Sequence, residues 1–139
     1  MLLKTSGIVL RSYKFSETSL ITKVFTEQHG LLSFMVPGIR SAKNRKGNIL
    51  LHGQLLDIDF YFRENKNFQR FKEYKAAFIS INTFSDMVKS AVLTLFIELL
   101  SQLVNEGEEH QSLFEFAAHQ IKTIENDTIA RLNPIQVIL

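Results

Sequence analysis

The sequence predicts a small β-barrel followed by α-helices, and three observations support this fold class. Five segments in residues 1–80 have the β-branched and aromatic content of strands, and five of the six glycines lie among them. From residue 88 onward the apolar residues instead recur at helical spacing. The charge changes as well. Residues 1–80 carry 13 cationic and six anionic side chains (net +7), whereas residues 81–139 carry three and eight (net −5).

Each predicted strand is bounded by residues that favour turns. Gly30 separates the second strand from the third, and Pro37-Gly38 ends the third. The fourth strand has the clearest alternation, because every second residue from Leu56 to Phe62 is apolar, whereas Asp57, Asp59 and Tyr61 share the other face. Five short strands in about 75 residues are typical of a closed or nearly closed barrel. The predicted strands are residues 7–13, 18–26, 31–36, 54–62 and 68–76.

Two helices are predicted after the barrel. The first contains Val88 to Leu103 and is apolar on most sides, so we expect it to be buried on most sides. Ser85 is its predicted N-cap, and Gly107 lies beyond its predicted end. The second is expected to begin at Ser112 with Glu115 completing a capping box. Its predicted core face is Leu113, Phe116, Ala117, Ile121 and Ile124.

A third helix start is predicted at Asn133-Pro134, an N-cap followed by proline at the first helical position. Only five residues follow, and most of them are apolar. The expectation is that the chain is the front part of a longer helical domain, or that its end packs on a partner.

Residues that could form a catalytic or metal centre are sparse. The chain has no cysteine, and its four histidines are widely separated. It contains neither of the glycine-rich phosphate-binding motifs GxxxxGK(S/T) and GxGxxG. Asp57 and Asp59 are best interpreted as the solvated face of an alternating strand. No cofactor, no metal and no enzymatic activity are predicted. The N-terminus lacks a signal-peptide pattern and no apolar run approaches 20 residues, so a cytoplasmic protein is expected.

The most informative segment is GIRSAKNRKG, residues 38–47, which follows the third strand. Cations between two glycines on a barrel loop can follow a phosphate backbone without reading a sequence. The four cations of the segment are Arg40, Lys43, Arg45 and Lys46. Five further cations lie at other predicted strand ends or faces and are additional candidates for DNA contact: Lys14, Arg63, Lys66, Arg70 and Lys72.

Aromatic residues are interleaved with these cations, and exposed rings can stack on unpaired bases. The candidates for stacking are Tyr13, Tyr61 and Tyr74. Phe60 and Phe62 are expected to belong to the core instead, because they lie on the apolar face of the fourth strand.

An ordered set of motifs resembles the opening of the RecO family of bacterial recombination mediators. The family pattern is GIVLR, a turn containing Glu, an FT-x-x-x-G strand end, and then G-x-R-x-x-K-S-R. Ser41 departs from a position that is commonly basic, and His52-Gly53 replaces a usual Gln-Pro. The matching residues, in order, are Gly7–Arg11, Glu17–Ser19, Phe25-Thr26, Gly30, Gly38, Arg40, Lys43 and Arg45.

The resemblance implies an N-terminal OB-fold over residues 1–80 that binds single- and double-stranded DNA, followed by a partial helical domain over residues 81–139. It further implies a nucleoid-associated protein that anneals complementary strands and assists RecA loading, with RecR-like and single-stranded DNA-binding proteins as partners. On this resemblance, Arg40, Lys43 and Arg45 would contact phosphate.

A second hypothesis remains open at this point. A small barrel can also bind the tail of a protein partner, with the basic loop serving only solubility or the steering of acidic peptides. Salt-dependent oligonucleotide binding discriminates between this adaptor and a DNA-binding protein.

Overall fold

The structure, a computed structural model, describes residues 1–38, 49–105 and 110–127. Within these ranges five strands are followed by three helices, and none of the helices is long and apolar enough to cross a membrane. The strands are β1 (Leu2–Lys14), β2 (Leu20–Thr26), β3 (Gly30–Val36), β4 (Leu55–Tyr61) and β5 (Arg70–Ala76). The helices are α1 (Ile81–Ser85), α2 (Met87–Leu103) and α3 (Gln111–Asn126).

The five strands form one sheet in the order β3-β2-β1-β4-β5, in which each neighbouring pair is antiparallel. β1 is long enough to pair with β4 through its first half and with β2 through its second half. Its start at Leu2 precedes the predicted start at residue 7, because the polar Lys4, Thr5 and Ser6 hide the strand pattern but pair with β4.

The two outer strands of the sheet meet, so the sheet curls into a barrel. Gln69 forms a parallel bridge with Phe34 of β3. Its N–H donates a hydrogen bond to Ser33 O (2.8 Å), and its carbonyl accepts one from Met35 N–H (3.0 Å). The strands join at this short seam and not along a full ladder. A five-stranded, partly open barrel of this kind confirms the predicted OB-fold.

Apolar side chains fill the inside of the barrel. Phe34 stacks on Phe71 with ring centroids 4.1 Å apart and meets Phe60 edge-on at 5.4 Å. The alternation predicted for β4 is confirmed, since Leu56, Ile58 and Phe60 are all buried, and Asp57 lies on the outside.

The helices cover one side of the barrel and share a second core with it. Phe25 of β2 and Phe114 of α3 pack edge-to-face with centroids 5.6 Å apart. Burial of aromatic and aliphatic side chains at this contact stabilises the helices by tying them to the barrel. The buried barrel residues of this shared core are Ile8, Leu10, Phe25 and Leu55. The buried residues of α2 and α3 that join them are Val92, Leu93, Phe96, Ile97, Leu100, Phe114, Ala117, Ile121 and Ile124.

The start of α2 differs from its prediction. Asp86, not Ser85, is the N-cap of α2, and its carboxylate accepts a hydrogen bond from the N–H of Lys89 at 3.0 Å. Ser85 instead ends α1, a short helix that has no sequence signal of its own. Burial of α2 on most sides was also a wrong expectation, because Val88, Leu95 and Leu103 are exposed. The predicted end signal at Gly107 lies outside the described residues.

The start and the inner face of α3 also differ from their prediction. The helix begins at Gln111, and its N-cap His110 makes no side-chain capping bond, so the capping box of Ser112 and Glu115 is not formed. Phe114 points into the core, whereas Phe116 is 38% exposed and Leu113 is only partly buried. The predicted helix start at residues 133–134 lies outside the described residues.

Glu125, near the end of α3, joins all three helices. Its carboxylate accepts hydrogen bonds from Asn82 N–H (3.1 Å), Thr83 N–H (2.8 Å) and the Thr83 hydroxyl (2.9 Å) at the start of α1. Lys89 Nζ of α2 donates to the Glu125 carbonyl at 2.8 Å. Burial raises the pKa of Glu125, but the bonds from Thr83 and Asn82 and the charge of Lys89 outweigh it. The pKa therefore lies below its ordinary value.

Gly53 allows the chain to pass close to α2 before β4. Its φ of +84° is in the left-handed region, and a Cβ at this position would lie 2.7 Å from Leu93 Cδ2. The N–H of Gly53 donates a hydrogen bond to Val9 O at 2.7 Å, which places the turn against β1. Proline, whose φ is fixed near −65°, is incompatible with this conformation.

Gly53→Ala is expected to destabilise the protein by about 2–4 kcal/mol, because it adds a strained φ to a collision with buried Leu93. Gly38→Ala is the matched control: its φ is +70°, but among the described residues no atom other than those of its chain neighbours lies within 4 Å of the added Cβ. Its cost is expected to be about 1–2 kcal/mol. Urea unfolding of both variants measures the difference, and equal losses would contradict the proposed close approach.

Glu125→Gln is expected to destabilise the protein by about 1–3 kcal/mol at pH 7, because a buried charged acceptor is lost. The lowered pKa means that the carboxylate stabilises the fold above its unfolded-state pKa and loses this contribution as pH falls through the folded-state pKa. The difference between wild type and Glu125→Gln in thermal unfolding should therefore shrink in acid. Glu115→Gln, at an exposed site of α3, should change little at any pH.

Candidate nucleic-acid interface

Three connections of the barrel lie at one end. β1 ends at Lys14 opposite Leu20, the first residue of β2, and Leu20 is in turn opposite Val36, the last residue of β3. The seam places Gln69, just before β5, beside Phe34 of β3. The β1–β2 connection, the β4–β5 connection and the beginning of the β3–β4 connection are therefore neighbours.

Two phenylalanines make direct contact between two of these connections. Phe15 follows β1 and Phe68 precedes β5, and their ring centroids lie 6.3 Å apart at an interplanar angle of 58°. Phe15 is 55% exposed, which is high for a phenylalanine. The β1–β2 turn that carries it is closed by a hydrogen bond from Phe15 N–H to Ser19 O at 3.0 Å.

The β4–β5 connection is closed by the side chain of Gln69. Its Oε1 accepts from Arg63 N–H at 2.8 Å, and its Nε2 donates to Arg63 O at 2.9 Å. Gln69 is only 4% exposed, so these bonds are shielded from competing water. The residues between Arg63 and Gln69, which include Lys66 and Phe68, therefore form a loop whose two ends are hydrogen-bonded to each other.

Four of the cations predicted to contact DNA lie on or next to the two connections that carry these phenylalanines, and all four are exposed. Lys14 precedes Phe15, whereas Lys66 and Arg70 lie two residues before and after Phe68. Arg70 extends across the seam, with Nη2 3.9 Å from Met35 Sδ of β3. We call this group the basic end of the barrel, and its members are Lys14, Arg63, Lys66 and Arg70.

The remaining predicted cations are not part of this group in the described structure. Lys72 is exposed at the shift in register between β4 and β5, next to Glu73. β3 itself ends at Val36, opposite Leu20, at the basic end. Four predicted DNA-contact residues beyond this strand lie outside the described residues: Arg40, Lys43, Arg45 and Lys46.

The three tyrosines predicted to stack on bases lie in different environments. Tyr61 is 48% exposed, on the face of β4 that carries Asp57 and Asp59. Tyr13 is partly buried and the Arg11 guanidinium lies 5.2 Å from its ring centroid. Tyr74 is 7% exposed and burial raises its pKa to about 12, so the expectation that its ring stacks on a base does not fit the structure.

The outer face of β4 and β5 has the opposite charge. We call it the acidic face, formed by Glu27, Asp57, Asp59 and Glu73, which line a shallow cavity of about 480 Å³. Two cations of the first 80 residues, Lys4 and Lys75, also line it, and Lys4 Nζ lies 3.6 Å from Asp59 Oδ2. Excess negative charge makes this face unfavourable for phosphate. In the described part of the chain, no three His, Cys, Asp or Glu residues are grouped to hold a metal.

Neither Phe15 nor Phe68 was among the residues singled out from the sequence, and Gln69 was missed as well. The available signal for exposed rings was that each phenylalanine borders a polar turn: Phe15 precedes residues 16–19, and Phe68 follows residues 64–67. The role of Gln69 had no such signal, because its bonds to β3 and to Arg63 arise only when the barrel closes.

Comparisons with known proteins assign the family. Residues 1–79 match the family described as "Recombination protein O N terminal". The chain is 32% identical over 134 residues to the DNA repair protein RecO of Bacteroides fragilis, covering 96% of this chain and 55% of that protein. It is 30% identical over 141 residues to that of Flavobacterium psychrophilum, covering 99% of this chain and 59% of that protein.

The chain spans about half the length of the curated relatives it matches. Among solved structures, Entamoeba histolytica asparaginyl-tRNA synthetase aligns with 71% of this chain and 31% of its own, at 16% identity and a TM-score of 0.43. This likeness is too distant to bear on function. The match over residues 1–79 and the matches to RecO proteins over nearly all of this chain show that the chain belongs to the RecO family.

Proposed function

We propose that the chain is a DNA-binding protein of DNA repair and recombination, and that DNA contacts the basic end of the barrel. The observation that carries the proposal is that exposed Lys14, Arg63, Lys66 and Arg70 all lie on or next to two connections of the barrel that contact each other through Phe15 and Phe68. Relatives over most of the chain are named DNA repair proteins, which supports the same role.

The chemistry of this surface is suited to phosphate and not to base edges. Lysine and arginine side chains on loops attract the nucleic-acid backbone and release its counterions, which gives binding that does not depend on sequence. The basic segment contains Arg40, Lys43, Arg45 and Lys46, and its first cation, Arg40, lies four residues beyond Val36, where β3 ends. In the proposal these four residues extend the basic end, and Lys72 flanks it.

We further propose, from the family resemblance, that the chain binds single- and double-stranded DNA, anneals complementary strands and assists RecA loading. RecR-like and single-stranded DNA-binding proteins are the proposed partners, and binding to chromosomal DNA would place the protein at the nucleoid. A surface that holds phosphate without reading bases is compatible with annealing, because both strands of any sequence can bind it.

The proposed division of labour assigns DNA binding to residues 1–80 and a partial helical domain to residues 81–139. The helices and the barrel share a core that includes Phe25 and Phe114, so separating them would expose buried apolar surface. Experiments on DNA binding therefore require the whole chain.

Fluorescence anisotropy with a labelled single-stranded oligonucleotide at several salt concentrations tests the proposal. The variant Lys14→Ala/Arg63→Ala/Lys66→Ala is expected to bind about tenfold more weakly and to show a shallower salt dependence, by about 0.7 in the log–log slope for each lost phosphate contact. Lys75→Ala removes a cation of the acidic face and is the matched control, with binding close to wild type.

Replacing Arg40, Lys43, Arg45 and Lys46 together with alanine should weaken binding to all sequences alike. Two outcomes would contradict the proposal: wild-type binding that does not weaken with added salt, or the absence of oligonucleotide binding. A nuclease-treated pulldown that retains a protein partner, together with no oligonucleotide binding, would support the adaptor hypothesis instead.

A further inference from the structure

The contact between Phe15 and Phe68 has features that phosphate binding does not explain. A phenylalanine in a surface turn normally gains stability by burying its ring, yet Phe15 remains 55% exposed while touching Phe68. The rings meet at 58°, a tilted arrangement that leaves ring surface of Phe15 accessible to solvent. The molecule therefore presents aromatic surface at the basic end of the barrel.

Both rings are held by well-defined turns. The β1–β2 turn is closed by bonds from the N–H groups of Phe15 (3.0 Å) and Ser16 (3.4 Å) to Ser19 O. The β4–β5 connection is closed by the paired bonds between Gln69 and Arg63. A binding surface whose supports are already ordered loses little conformational entropy when a ligand binds.

The surrounding charges identify the ligand class. Lys14 precedes Phe15 directly, and Lys66 and Arg70 lie two residues before and after Phe68, so exposed cations are carried on the same short segments as the two rings. A flat ring flanked by cations suits a nucleotide, because the base stacks on the ring while its phosphate meets a cation. In a duplex each base is already stacked and paired, so only an unpaired base offers its face without a cost of unstacking.

We propose that Phe15 and Phe68 form a stacking platform for unpaired bases, which makes the basic end of the barrel prefer single-stranded over double-stranded DNA. This inference rests on the proposed function and adds a strand preference to it. Phosphate contacts provide salt-dependent affinity for both kinds of DNA, and the platform adds a salt-independent contribution for single strands alone.

The double variant Phe15→Leu/Phe68→Leu tests the platform, because leucine keeps apolar contact between the loops but has no flat ring. Its affinity for a single-stranded 30-mer should fall about fivefold to fiftyfold, with the salt slope unchanged. Its affinity for a duplex of the same sequence should stay at the wild-type value. Phe116→Leu, at a partly exposed ring on α3, is the control and should leave both affinities unchanged.

A second variant reports stacking directly and does not depend on loss of affinity. The chain has no tryptophan, so Phe15→Trp introduces a single indole at the platform. Its fluorescence should be quenched when the single strand binds and should change much less with the duplex. Unquenched fluorescence at saturating single strand would overturn the platform, even if the leucine variant were destabilised.

The outcomes separate the two proposals. Salt-dependent DNA binding by wild type that the leucine variant retains in full, with the same strand preference, overturns the platform and leaves the proposed function standing. Absence of any DNA binding by wild type overturns both. A parallel loss of single-strand and duplex affinity in a folded leucine variant shows that the rings only position the loops, and also overturns the platform.

Discussion

Gln69 connects barrel closure to the arrangement of the candidate site. Its main chain bonds Ser33 and Met35 and so joins the two outer strands of the sheet, while its side chain bonds both backbone groups of Arg63. Because the residue is buried, neither set of bonds competes with water. The same residue that closes the barrel through its main chain therefore also sets, through its side chain, the path of the loop on which Lys66 and Phe68 lie.

Charge is distributed unevenly over the surface of the barrel. The outer face of β4 and β5 is acidic, and its cations Lys4 and Lys75 lie among carboxylates. The cations of the basic end instead lie on or next to the two connections that carry Phe15 and Phe68. The small net charge of +2 for the whole chain conceals this separation. The helices cover a third side, where Phe25 and Phe114 belong to the shared core.

Local pattern was sufficient to predict most of the strands and the fold class. Alternation identified β4 because Leu56, Ile58 and Phe60 share a buried face. Features that depend on distant residues were missed. The first residues of β1 are extended because β4 pairs with them, and Phe114 is buried in place of Phe116 because the barrel sets which face of α3 points inward. The candidate site was predicted by its charges, but the contact of Phe15 with Phe68 required the closed barrel.

The central claim, that DNA binds the basic end of the barrel, is tested most directly by NMR mapping of amide shifts in the whole chain during titration with a short single strand. The largest changes are predicted around residues 13–20 and 63–70, with little change at Asp57, Asp59 and Glu73 on the acidic face. Changes centred on the acidic face or on α2, with residues 13–20 and 63–70 unaffected, would contradict the account.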